Sequence, residues 1–145
     1  MRYQIAIAKT AAQINRCYPV VQELRPHVPA ADLVRRVKRQ MTQGYRLLFL
    51  EAGCEVRALA GYRISECLAW GKFLYVDDLV TREADRSKGY AGLLMDWLLA
   101  EAAKERCDEF HLDSGVHRFP AHRFYLMKRL DITCHHFALK LPRAI

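Results

Sequence analysis

Three observations predict an α/β (α+β) fold built on one mixed sheet with helices on both faces. The elements read βααβββαβαβ, strands neighbour strands before the chain crosses over through helices, and 145 residues with 52% apolar and 27% charged side chains suit one ordinary core. A chain of this length buries roughly two-thirds of its unfolded surface, so residues 1–145 are read as a single domain.

Alternation in Tyr3-Gln4-Ile5-Ala6-Ile7 predicts the opening strand. Helices are predicted over Gln13 to Leu24 and Ala30 to Met41, parted by the turn-forming Arg25-Pro26-His27-Val28-Pro29. On the second, Leu33, Val34, Val37 and Met41 share one arc while Arg35, Arg36, Lys38 and Arg39 occupy the other side, which must face outward. Three strands follow, Tyr45 to Ala52, Val56 to Ser65 and Lys72 to Thr81, the first two joined by the tight turn Gly53-Cys54-Glu55. A long helix from Tyr90 to Arg106 carries Leu94, Trp97 and Leu98 at helical spacing. A short strand Glu109 to Leu112, a helix Pro120 to Lys128 with proline in its first turn, and a last strand Ile132 to Leu141 complete the order.

The net charge of +7 is unevenly placed. Residues 1–50 hold nine Lys/Arg against Glu23 and Asp32, whereas residues 51–145 hold fourteen of each sign. Such a field favours an anionic partner: a nucleotide cofactor, an acidic substrate or nucleic acid. Nucleic acid is disfavoured by the lack of RNP, KH or zinc-finger motifs and of aromatic residues among the basic ones. Five cysteines without CxxC spacing suit free thiols in a reducing compartment. With no apolar run near the ~18 residues of a membrane span, the expectation is a cytoplasmic protein without membrane association.

Between the strand Lys72 to Thr81 and the long helix lies Arg86-Ser87-Lys88-Gly89-Tyr90-Ala91-Gly92. A strand entering a basic, glycine-containing turn and then a helix start offers backbone N–H groups and a partial positive charge to an anion such as a pyrophosphate. Gly89 permits close approach, and Arg86 and Lys88 add charge. A solvated basic turn would look the same in isolation.

Three stretches together are more specific: Leu74 to Thr81, Arg86 to Leu94, and Ala121-His122-Arg123-Phe124-Tyr125. In this order and on these elements they resemble the core of the GNAT superfamily of N-acetyltransferases, and the element order resembles that fold from end to end. The resemblance implies a mostly antiparallel central sheet and acetyl transfer from acetyl-CoA to an amine acceptor. It gives Leu79, Val80 and Thr81 the backbone pairing with pantetheine, and Arg86 to Gly92 the grip on the pyrophosphate. Tyr125 matches the tyrosine whose hydroxyl lies near the coenzyme A sulfur, so it is the candidate acid. Many members carry Asn seven residues before that tyrosine, where this chain has Arg118, and Gly four residues after it, where this chain has Arg129. Family members often dimerise, so a homodimer is an open arrangement.

An amine must shed a proton before attack and the departing thiolate gains from receiving one. Asp77 and Asp78 lie where the strand nears the thioester. Strand alternation directs them to opposite faces, so at most one of them faces the substrate as base or amine binder, and Asp77 shares parity with Leu79 and Thr81. The backbone N–H of Leu79 is the candidate polariser of the thioester carbonyl. His117 and Arg118 stand at the mouth of the last helix as candidate substrate and cofactor contacts, and Arg25, in its proline-stiffened turn, is placed to meet an anionic acceptor. The histidines have no metal-ligand spacing, and no metal is expected. A nucleic-acid module, or a coenzyme A-binding protein without transferase activity, are the alternatives.

Overall fold

The computed structural model describes residues 2–143, which divide into two compact units, one ending at Leu112 and the other beginning at Asp113. In the first, strands β1 (Gln4–Ile7), β2 (Arg46–Ala52), β3 (Glu55–Cys67) and β4 (Gly71–Thr81) pair antiparallel in sequence order, and β5 (Glu109–Leu112) adds parallel to β4. Helices α1 (Ala11–Arg16), α2 (Tyr18–Leu24) and α3 (Ala30–Met41) precede β2, and α4 (Tyr90–Lys104) joins β4 to β5.

The expected helix from Gln13 to Leu24 is two helices. Thr10 caps α1 in a reciprocal box with Gln13, and Cys17 ends α1 and starts α2. Pro19 in the first turn of α2 explains the break, because a proline ring inside a continuous helix clashes with the carbonyl four residues back.

β2 is buried on both faces. Leu47 and Phe49 join Ile14, Val20, Leu33 and Val37 on the α1–α3 side, whereas Leu48 and Leu50 join Leu94 and Leu98 of α4 on the other. Period-2 alternation within the apolar run Leu47–Leu50 therefore welds two cores through one sheet. The fold is α+β with helices on both sheet faces.

In the second unit α5 (Phe119–Met127) is the one regular element among the described residues. The expected strand from Ile132 to Leu141 does not form. Its apolar residues Ile132, Phe137, Leu139 and Leu141 are all exposed. Alternation supplies a sided strand, but a strand persists only with a ladder partner, and none is present for this segment among the described residues.

Candidate active site

The β3–β4 ladder pairs Gly61 with Asp78 and Tyr62 with Val76, leaving Asp77 as the extra residue of a β-bulge. Before the bulge Leu74 and Val76 face α4; after it Val80 faces the α1–α3 side. The expected opposition of Asp77 and Asp78 is thereby corrected. A bulge resets strand parity by one, so both carboxylates, with Tyr75, border one cavity between the sheet and helices α2 and α3.

That cavity measures about 430 Å³. Leu33 and Val37 of α3 with Leu47 and Leu59 of the sheet form apolar wall, and Arg25, His27, Arg36 and Gln40 supply polar groups. Asp78 is saturated: Oδ1 accepts from Arg25 Nε at 3.0 Å and Oδ2 from the Tyr45 hydroxyl at 2.8 Å. Arg25 Nη2 also reaches Asp78 Oδ1 at 2.9 Å and the carbonyl of Asp77 at 3.1 Å. Burial, then the charge of Asp78, raises the Tyr45 hydroxyl far above its ordinary range and keeps it a donor.

Asp77 differs. Its Oδ2 accepts from Arg63 Nε at 2.9 Å, but Oδ1 is buried without a hydrogen-bond partner. Burial raises the Asp77 carboxyl above its usual range, the Arg63 guanidinium opposing. A buried carboxylate oxygen without a partner is costly.

From this cavity β4 continues to the loop before α4. Its ladder with β5 stops at Val76 and Leu112, so Leu79, Val80 and Thr81 pair with Ala60, Leu59 and Ala58 of β3 and have no β5 partner. In the loop, Ser87 and Gly89 take left-handed backbone angles, φ 64° and 86°. No side chain caps α4, and a Cβ added to Gly89 would meet nothing within 4 Å. The loop is braced from beneath by Asp85, 1% exposed, which binds Arg82 Nε at 2.6 Å, Lys88 Nζ at 3.0 Å and Arg57 Nη1 at 3.2 Å. Although burial opposes it, hydrogen bonds from Lys88 and Arg82 and the charges of Arg82 and Arg57 hold the Asp85 carboxyl below its usual range. Lys88 is thus partly engaged within the loop, whereas Arg86 makes no salt bridge among the described residues.

In the second unit Tyr125 sits mid-helix on α5, its hydroxyl raised by burial with Arg118 acting against the shift. Arg118 is the N-cap residue of α5 and is exposed, as is His117. Arg129, standing where glycine was expected, adopts φ 69°. Leu130 N–H bonds the Tyr125 carbonyl at 3.0 Å and Arg129 N–H that of Leu126 at 3.0 Å, a Schellman closure made without glycine.

Sequence reasoning missed Tyr45, Arg63, Asp85 and Arg36. Arg36 was placed on the outward face of α3; Arg35, Lys38 and Arg39 are exposed, but Arg36 is half-buried and lines the cavity. The signal was available in its spacing, since Leu33, Arg36, Val37 and Gln40 fall on one helix face. Among the described residues no three His, Cys, Asp or Glu side chains converge, and no helix is long and apolar enough to cross a membrane.

Residues 11–130 match the model of the acetyltransferase (GNAT) family. The uncharacterized N-acetyltransferase YhdJ of Bacillus subtilis (strain 168) is 32% identical over 126 residues, covering 86% of this chain and 88% of that protein. Two solved structures share the fold. A ribosomal-protein-alanine N-acetyltransferase from Brucella melitensis biovar Abortus 2308 superposes with a TM-score of 0.83 at 12% identity, over 97% of this chain and 100% of that one. The AAC(6')-Iy structure, in complex with the bisubstrate analog CoA-S-monomethyl-acetylneamine, gives 0.82 at 11% identity, over 99% and 100%.

Proposed function

The chain belongs to the acetyltransferase (GNAT) family and is an N-acetyltransferase, and from that premise we propose that it moves acetyl directly from acetyl-CoA to a primary amine held against Asp77. The observation that carries this reading is the course of β4. One strand borders the Asp77 cavity, continues as the open edge Leu79–Val80–Thr81, and ends in the Arg86 to Gly92 loop at the start of α4.

In this reading the loop amides and Arg86 bind the pyrophosphate, supported by the left-handed turn at Gly89 and the absence of a side-chain cap on α4. The open backbone edge at Leu79, Val80 and Thr81 orients pantetheine, with the Leu79 N–H directed to the thioester carbonyl. Bound acetyl-CoA supplies an activated acyl group. Asp77 receives the amine and takes its proton, and the raised carboxyl brings it nearer to the working pH of a general base. Asp78, tied by Arg25 and Tyr45, fixes the charge beside it, so Arg25 acts as a positioning residue. Tyr125 is the acid for the departing thiol, a role the resemblance implies and its burial-raised hydroxyl supports. Arg118 and His117 are assigned to the cofactor and acceptor on the resemblance and their place before α5. Residues 1–145 act as one catalytic domain, and the exposed thiols of Cys54 and Cys134 favour the cytoplasm as its compartment.

The test is release of free coenzyme A thiol from acetyl-CoA across a panel of primary amines, read beside thermal stabilisation by acetyl-CoA. Amine-dependent thiol release supports the reading. Stabilisation with no release from any amine would leave a coenzyme A-binding protein without transferase activity.

A further inference from the structure

We propose that the acceptor is an amine joined through an apolar segment to a carboxylate, with Arg36 as the residue that recognises the carboxylate. The proposal rests on the reading of the Asp77 cavity as the acceptor site, and it concerns what fills the rest of that cavity.

The charges bordering the cavity do not cancel where they stand. Asp78 and Arg25 neutralise each other through direct contacts. Asp77 is held by Arg63 on Oδ2 alone and keeps Oδ1 unpaired. Arg36 makes no salt bridge or hydrogen bond among the described residues, although Arg35, its neighbour in sequence, pairs with Asp32 at 3.1 Å. The cavity is therefore bordered by a carboxylate with one unpartnered oxygen and by one unmatched guanidinium.

These two groups lie apart. Arg36 is one helical turn, about 5–6 Å, from Gln40. Gln40 Oε1 accepts from Arg63 Nη2 at 3.2 Å, and Arg63 Nε in turn holds Asp77. An amine at Asp77 and an anion at Arg36 must accordingly be separated by several bonds. Part of the cavity wall is aliphatic, from Leu33 and Val37 on the same face of α3 and from Leu47 and Leu59 on the sheet. An apolar spacer gains by burial there, whereas a polar one would leave unpaired groups. A volume of about 430 Å³ falls within the ~300–1,000 Å³ of small-molecule sites. A single guanidinium fork matches the two oxygens of a carboxylate. A diamine of the same length would place a cation against Arg36, the arrangement that electrostatic selection rejects.

Three amines of matched length decide the matter: 6-aminohexanoate, hexylamine and 1,6-diaminohexane. Binding by calorimetry and acetyl transfer by thiol release are both measured on the full chain. The expected order of affinity and of kcat/KM is 6-aminohexanoate above hexylamine by about ten- to hundred-fold, the worth of a charge-assisted hydrogen bond, with the diamine last. Arg36→Gln should bring the ratio of 6-aminohexanoate to hexylamine close to one, whereas Arg39→Gln, on the exposed face, should preserve it. A diamine that binds as well as 6-aminohexanoate, or an Arg36→Gln variant that weakens all three amines alike, overturns the proposal. If the calorimetric order holds but no amine is acetylated, these amines are ligands and not acceptors, and the proposal is overturned together with the reading of the cavity as the acceptor site. If hexylamine and the diamine are acetylated as well as 6-aminohexanoate, the proposal falls and the transferase reading stands.

Discussion

Tyr45 reaches Asp78 through the space that Gly61 leaves empty. The hydroxyl donates to Asp78 Oδ2 at 2.8 Å, and a Cβ on Gly61, the cross-strand partner of Asp78, would stand 2.5 Å from the Cε2 and Cζ atoms of the tyrosine ring. Tyr45 is 5% exposed, so the added methyl meets a packed ring. Gly61→Ala should therefore cost about 1–3 kcal/mol by overpacking, and Tyr45→Phe a similar ~1–3 kcal/mol by leaving Asp78 short of a donor. Both changes break the same bond, so the double variant should cost less than the two single ones added. Urea midpoints of the four proteins measure this; strict additivity would mean that Gly61 does not serve Tyr45.

Asp77 gives a pH dependence of definite sign. Burial raises its carboxyl above the ordinary 3.8, so in the window from that value upward the folded state binds more protons than the unfolded state. Stability contributed by this group falls as pH rises through the window. Asp77→Asn removes that penalty, and its Tm relative to the parent should climb as pH rises above 3.8 while kcat/KM drops by roughly 10²–10⁴-fold and its optimum moves alkaline. Asp85 has the opposite sign: its lowered carboxyl contributes stability above 3.8 that is lost as pH falls below it. Asp85→Asn should thus lose Tm against the parent at neutral pH and converge with it in acid. A relative Tm for Asp77→Asn that does not change with pH would show that its carboxyl titrates normally.

The sequence made some of this legible and hid the rest for physical reasons. Helix α3 (Ala30–Met41) and strand β5 (Glu109–Leu112) fall where their periodicity places them, because local pattern and burial agree. The bulge at Asp77 left no mark on its own strand; its only trace is Gly61 on the facing strand, which becomes meaningful once the register is known. Arg36 was sorted to the solvent face by its charge, whereas its angular position already grouped it with Leu33 and Val37. The tail from Ile132 to Leu141 shows the reverse failure, since its apolar residues suit a strand but a ladder partner is not something local composition can supply.

Gly89 separates backbone strain from ligand exclusion. Its φ of 86° penalises any L-residue, by roughly 1–2 kcal/mol, but an added Cβ meets no neighbour. Gly89→Ala should lower Tm while keeping most of the acetyl-CoA stabilisation, which at 100-fold above Kd is about 2.7 kcal/mol. Gly89→Asp should lose that stabilisation because it sets a negative charge beside the phosphates. A folded Gly89→Asp protein that acetyl-CoA still stabilises fully would place the cofactor away from this loop.

Tyr125→Phe removes the proposed acid with almost no change in volume. We expect kcat to fall by roughly 10- to 10⁴-fold with acetyl-CoA affinity unchanged, the split produced by losing an interaction made in the transition state alone. Steady-state kinetics beside calorimetric titration read the two quantities. Unchanged turnover would reduce Tyr125 to a packing residue of α5.

Arg106 and Arg129 both hold the left-handed position after a helix, with φ 57° and 69°, and both close Schellman motifs. At Arg106 the N–H of Cys107 bonds the Ala102 carbonyl at 2.9 Å, matching the bond from Leu130 to Tyr125. A non-glycine residue there forfeits roughly 1–2 kcal/mol of backbone energy, and glycine returns part of it through a more flexible unfolded chain. Arg106→Gly and Arg129→Gly should each stabilise by about 0.5–1 kcal/mol. Because Arg106 belongs to the first compact unit and Arg129 to the second, the pair also tests whether residues 1–145 unfold as one domain. In a single cooperative domain both substitutions raise the same calorimetric transition and their effects add. Two transitions, with Arg106→Gly moving one and Arg129→Gly the other, would show two independently melting parts.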